Sequence, residues 1–222
     1  MFSTKATIER YVASAVPALA DRVCCVLAES GLIALPTESF YGLAVGPFDE
    51  QALAKLWQIK ARSKGKPILI LIGDASQLGP FVQSIPPAAT VLMKAFWPGP
   101  LTIVFPAAAG LSDALTAGTR SVGIRLSAWQ PLRDLLLRVG PVTGTSANRK
   151  GMPPPTTAEE VRHSLGDALD LIVDAGATPG GQPSTVIDVQ GPIRIIRDGA
   201  IDRDAIVAQL AAHGLYLDLD NQ

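Results

Sequence analysis

The sequence predicts an α/β fold: one twisted sheet of mixed parallel and antiparallel strands with flanking helices. Three observations carry this reading. Apolar strand-like runs alternate with amphipathic stretches through the first half of the chain. Three more strand-like runs cluster near its end. Of the 222 residues, 48% are apolar, enough for a sizeable core. The length fits a single domain over 1–222, with its core in about 15–201.

Residues 17–29 open on a proline and stop before Gly31, the punctuation of a helix. "LIALP" is a short buried strand, and "TESFYGLAVG" reads as a glycine-marked turn. Residues 49–60 place Leu53, Leu56, Trp57 and Lys60 at helical spacing. "PILILIGD" is a continuous apolar strand, and 88–96 is a helix halted by "WPGP". "LTIVFP" and "SVGIRLS" are strands, 131–139 is a helix, and "PVTGTSAN" is a strand entering a loop. "GMPPPTT" stiffens the chain after Asn148. "TTAEEVRHSLG" begins a helix on a threonine cap with an acidic first turn. "LDLIVDAG", "STVIDV" and "IRIIRDG" are the late strands, and 202–213 closes the chain as a helix. The acidic tail 216–222 is expected to fray.

Charge and motif content narrow the function. Nineteen basic residues face twenty acidic ones, with a pI near 6.1, so any positive patch is local and a coat for duplex nucleic acid is disfavoured. Cys24 and Cys25 are neighbours that match no zinc pattern and read as small core residues of a helix. Neither a signal pattern nor a membrane-length apolar run is present, so a cytoplasmic protein without a membrane partner is expected. No Walker, GxGxxG or HExxH pattern occurs, and no resident metal site is expected. His163 and His213 fall on solvated helix faces, and "GTS" at 144–146 lacks the second glycine of a hydrolase elbow.

That inventory leaves positioning and electrostatics as the means of catalysis, which suits nucleotidyl transfer. In "KARSKGKPILILI", Lys60, Arg62, Lys64 and Lys66 crowd into seven residues with no acid among them. Such self-repulsion calls for an anion. Arg62 can grip two oxygens with its planar fork, while Lys60 is a point charge. In "TGTSANRKG", Ser146 and Asn148 alternate at a strand end, where α/β folds bind ligands. Taken alone, each stretch also fits an ordinary cationic helix end or a Ser/Asn turn.

Together they resemble the K-x-R…S-x-N signature of the YrdC/TsaC-type threonylcarbamoyl-AMP synthases. "PTESFYGLAVG", "KARSKGKPI", "FWPGPLT", "VGIRLS", "TSANRKG", "PSTVIDV" and "IIRDGAI" match family segments in the same order, over roughly residues 15–201. The resemblance is to the short form, without a C-terminal extension domain. It implies a YrdC-like mixed sheet with a concave, positively lined cavity. It also implies condensation of L-threonine, bicarbonate or CO2, and ATP (with Mg2+) into threonylcarbamoyl-AMP and pyrophosphate. A separate tRNA threonylcarbamoyltransferase complex would then use the product.

Carried onto this chain, the resemblance implies that Lys60, Arg62, Ser146 and Asn148 are the catalytic set and hold the ATP phosphates. Ser121, the Gly144 backbone and Arg197 would complete the ATP site. Thr37, Arg125 and Ser184 would hold threonine, with Arg125 on its carboxylate. Gly65 is a candidate lid hinge, and Glu38 is a weak candidate for a metal ligand. Ser63, Leu71, Lys150 and Asp198 depart from the family pattern, Asp198 standing where it could weaken the field of Arg197. Three rival readings remain open. The first is an RNA-binding module of the same fold that holds double-stranded RNA or tRNA through Lys64, Lys66, Arg149 and Lys150 without synthase activity. The others are a non-synthase paralogue and a carbamoyltransferase module.

Overall fold

A computed structural model describes residues 6–60 and 67–218. The strands are β1 (Thr7–Arg10), β2 (Ile33–Pro36), β3 (Tyr41–Ala44), β4 (Leu69–Ile72) and β5 (Leu101–Pro106), followed by β6 (Ser121–Leu126), β7 (Val142–Ser146), β8 (Leu171–Asp174), β9 (Thr185–Asp188) and β10 (Arg194–Arg197). The helices are α1 (Val16–Ala28), α2 (Glu50–Lys60), α3 (Pro87–Phe96), α4 (Asp113–Thr116), α5 (Gln130–Val139), α6 (Ala158–Leu165) and α7 (Arg203–Ala211). The strands form one sheet in the order β1-β8-β2-β3-β7-β4-β6-β5-β9-β10. Parallel pairs (β1/β8, β2/β8, β4/β6, β5/β9) mix with antiparallel ones (β2/β3, β3/β7, β4/β7, β5/β6, β9/β10), the mixed sheet that the sequence predicts.

Alternation along the strands sorts the core into two layers. Ile70, Ile72, Ile103, Phe105, Val122 and Ile124 turn to one side, with Leu53 and Leu56 of α2, Leu92 of α3 and Leu210 of α7. Ile33, Leu35, Leu71, Val142, Leu171 and Val173 turn to the other, beneath Leu19 and Val23 of α1 and Leu132, Leu135 and Leu136 of α5. This second cluster takes no residue from β5, β6, β9 or β10. On that side, one half of the sheet therefore presents its polar residues without a helical roof, and the candidate site is built there.

At β7 the two halves of the sheet are joined. Val142, Thr143 and Gly144 pair with β4, while Thr145 and Ser146 pair with β3. The strand passes from one partner to the other within its five residues.

Four sequence readings need correction. "TESFYGLAVG" is a turn only over 37–40; Tyr41–Ala44 is a strand between β2 and β7. Both its faces are covered, with Tyr41 and Leu43 in one core layer and Ala44 in the other, and this conceals the strand period. Cys24 and Cys25 lie on a helix as expected, but both are exposed. The buried stripe of α1 runs through Val16, Leu19, Ala20, Val23 and Val26, and residues 24 and 25 fall off it. The tail does not fray over 216–218. Leu217 bridges to Ile193, and Asp218 pairs with Arg194. Finally, β1 and α4 were not anticipated: β1 is a short polar edge strand and α4 a single turn. His163 and His213 are exposed, as predicted.

Candidate active site

Helix α2 ends on Lys60, whose charge suits a helix C-terminus. The side chain is buried, 8% exposed, and does not project into water. Its Nζ donates to the Ser146 carbonyl at 2.7 Å, the Asn148 carbonyl at 2.7 Å and Asn148 Oδ1 at 2.8 Å, with Ser146 Oγ at 3.4 Å. Ser146 Oγ donates to Asn148 Oδ1 at 2.5 Å, and Asn148 Nδ2 donates to the Met152 carbonyl. The lysine thus ties the end of α2 to the loop that leaves β7. Arg62 and the lid expected at 62–66, Gly65 included, lie outside the described residues.

Strand register assembles the remainder. Gly144 and Ser146 share a face of β7 with Val142. Ser121, Gly123, Arg125 and Ser127 alternate in the same way along and just beyond β6, and Arg125 is registered beside Leu71. All lie on the same side of the sheet; α1 and α5 cover Val142 and Leu71, and the β6 positions lie beyond that roof. A Cβ on Gly144 would stand 2.8–3.0 Å from the Leu69 and Leu71 side chains, so glycine is needed there to keep the sheet surface flat. Ser121 is buried and shares a hydrogen bond with Thr119 at 2.7 Å.

A second polar group lies around Arg125. Arg197 donates through Nη2 to the Ser184 carbonyl at 2.6 Å and to Ser184 Oγ at 3.1 Å, and Ser184 Oγ meets Thr102 Oγ1 at 2.9 Å. Burial first, then the Arg125 guanidinium, push Arg197 below the ordinary guanidinium value. Arg125 forms an ion pair with Glu38, whose other oxygen accepts from Ser127 Oγ. Burial alone would push the Glu38 carboxyl up. The Arg125 charge and the Ser127 hydroxyl outweigh it and hold the carboxyl below its ordinary value. Thr37 Oγ1 donates to the Phe40 carbonyl at 2.8 Å and so closes the turn that presents Glu38.

The structure thus brings Lys60, Ser146 and Asn148 into one group, and Arg125, Ser184 and Arg197 into another with Thr37 in the adjoining turn. Glu38 is engaged by Arg125 and Ser127. Asp198 turns to Arg203, 3.5 Å away, and is not among the groups that act on Arg197. Leu71 packs into the α1/α5 layer. Sequence reading missed Thr102 and Ser127. Ser127 was legible as the next alternate position after Arg125, whereas Thr102 has no local signal and depends on the β5/β9 register.

Comparisons with known proteins fit this arrangement. The Sua5/YciO/YrdC family model, described as "Telomere recombination", matches residues 25–199. A Pyrococcus abyssi threonylcarbamoyl-AMP synthase is 36% identical over 180 residues, 80% of this chain and 53% of that protein. An Idiomarina loihiensis threonylcarbamoyl-AMP synthase is 36% identical over 163 residues, 72% of this chain and 88% of that protein. The crystal structure of P. abyssi Sua5 complexed with L-threonine superposes with a TM-score of 0.83 at 30% identity, covering 96% of this chain and 62% of that one. The chain spans about half the length of the P. abyssi relative. On sequence and on fold, this chain belongs to the Sua5/YciO/YrdC family.

Proposed function

We propose that this chain is a threonylcarbamoyl-AMP synthase, a nucleotidyltransferase that joins L-threonine, bicarbonate or CO2, and ATP and releases pyrophosphate. The observation that carries the reading is the convergence of Lys60 on Ser146 and Asn148, 86 and 88 positions away along the chain. Relatives named for this activity and a relative's complex with L-threonine support it.

In this reading Lys60 holds the 146–148 loop. Arg62 and the hydroxyl and amide of Ser146 and Asn148 take the phosphates, Ser121, Gly144 and Arg197 flank the nucleotide, and Arg125, Ser184 and Thr37 take threonine. The neutral threonine amine adds to CO2 and loses a proton to give a carbamate. A carbamate oxygen attacks the α-phosphorus, and pyrophosphate leaves. No side chain serves as nucleophile. The protein aligns three reactants and stabilises developing charge. Mg2+ belongs to the nucleotide substrate; among the described residues no group of three or more His, Cys, Asp or Glu is placed to hold an ion. The product would pass to a tRNA threonylcarbamoyltransferase complex. Near-neutral charge and an aromatic content of 5% weigh against an RNA-binding module. Pyrophosphate release by purified protein tests the reading: it should require threonine and bicarbonate together, and release indifferent to threonine overturns it.

A further inference from the structure

Arg125 is a buried cation with a donor to spare. Its side chain is 7% exposed, and its Nε makes no hydrogen bond among the described residues. Its Nη2 is engaged by Glu38 Oε1 in an ion pair. A guanidinium binds a carboxylate best through two parallel N–H···O contacts. Glu38 supplies a single contact, because its other oxygen is held by Ser127, a fully buried residue. The resident pair is therefore incomplete, and an unsatisfied donor buried beside it favours a better partner.

The backbone around Glu38 is fixed. Thr37 closes the 37–40 turn, and Gly180 donates to the Ser39 carbonyl at 2.8 Å. Release of Arg125 by Glu38 is therefore a side-chain movement within a tied turn, and the Glu38 side chain is 17% exposed. Among the described residues, the charged groups linked here are Arg125 from β6, Arg197 from β10 and Glu38 from the turn. Arg125 acts on Glu38 and on Arg197 alike, so an entering α-carboxylate meets positive charge once Glu38 turns away.

We propose that Glu38 positions the Arg125 guanidinium in the substrate-free protein and is exchanged there for the α-carboxylate of the amino-acid substrate, an inference that rests on the synthase reading above. Glu38 is then a positioning residue that sets the affinity of the amino-acid subsite. Apparent affinity is the intrinsic affinity reduced by the fraction of molecules in which Glu38 has vacated Arg125.

Calorimetric titration of the full chain with L-threonine tests this. Glu38→Gln keeps the shape but removes the competing charge, and should tighten threonine binding by about threefold or more while ATP binding is unchanged. Ser127→Ala releases the second Glu38 oxygen to complete the bidentate contact with Arg125 and should weaken threonine binding; it decides the matter if Glu38→Gln does not fold. L-Threoninol, which lacks the carboxylate, should respond to neither change. Weaker threonine binding in Glu38→Gln would place Glu38 on the substrate ammonium, and unchanged binding would make it a structural brace; either overturns the exchange. Wild-type protein that binds threonine but releases no pyrophosphate overturns the activity and leaves the exchange standing. Protein that binds no threonine overturns both.

Discussion

Lys60 donates twice to Asn148, at 2.7 Å to its backbone carbonyl and 2.8 Å to its side-chain oxygen. A cation that reads as a phosphate clamp from sequence is, in the fold, the fastener of the loop that carries Ser146 and Asn148. Lys60→Ala should cut pyrophosphate release at least about a hundredfold. It should also lower the melting temperature, since each carbonyl left unpaired in a buried setting costs about 1–3 kcal/mol. Lys60→Arg should rescue neither, because a planar fork cannot converge its donors on one point. Parallel turnover and melting measurements check this, and near-normal turnover in Lys60→Ala refutes it.

Gly199 fixes the spacing between Ser184 and Arg197. A Cβ there would lie 2.4 Å from the Pro183 carbonyl oxygen, 2.5 Å from the Thr185 nitrogen and 2.6 Å from the Ser184 carbonyl carbon. Gly199→Ala should cost about 1–3 kcal/mol by overpacking against backbone. It should raise KM for threonine through Ser184 and KM for ATP through Arg197. Steady-state kinetics in both substrates, together with chemical denaturation, measure the two effects.

Stability should fall in acid partly through Glu38. Its carboxyl ionises below the ordinary value of 4.5 in the fold. Its contribution is therefore complete above about that pH and is lost as pH falls through the lower folded value. Glu38→Gln removes the titration. The variant should be less stable than wild type near neutrality, having left Arg125 unpaired, yet lose less stability between about pH 5 and pH 3. Melting temperature recorded against pH for both proteins tests this; parallel curves contradict it.

Cys24 and Cys25 should react with a thiol reagent in the native protein, because both are exposed on α1. The Cys24 thiol is pushed up by partial burial, then by Asp21 and Cys25, so its labelling should quicken in alkali. Replacing either by serine should change stability by less than about 0.5 kcal/mol. Thiol counting and melting curves suffice.

What the sequence made legible follows local physics. Helix α6 was readable because Thr157 and Glu160 form a reciprocal cap. Strands β5 and β6 were readable as apolar runs bounded by turns. The strand at 41–44 was not, because a segment sandwiched between two partners and covered on both faces shows no alternation. The cysteines were misplaced because residue type suggested burial while the helical stripe assigned the inward positions to others. At the site, Lys60, Ser146 and Asn148 were legible as one group through the resemblance to the family signature, since each stretch alone also fits an ordinary helix end or turn. The Glu38–Arg125 tie was not: it joins a turn to a strand middle 87 positions later, and only the sheet order brings them together.

The hand-over at β7 has a mechanical consequence. Thr37 belongs to the β2/β3 side of that splice, and Arg125, Ser184 and Arg197 to the far side. A reactant gripped by both is a suture across the seam. Loading the site would stiffen the molecule along the line where β7 changes partners.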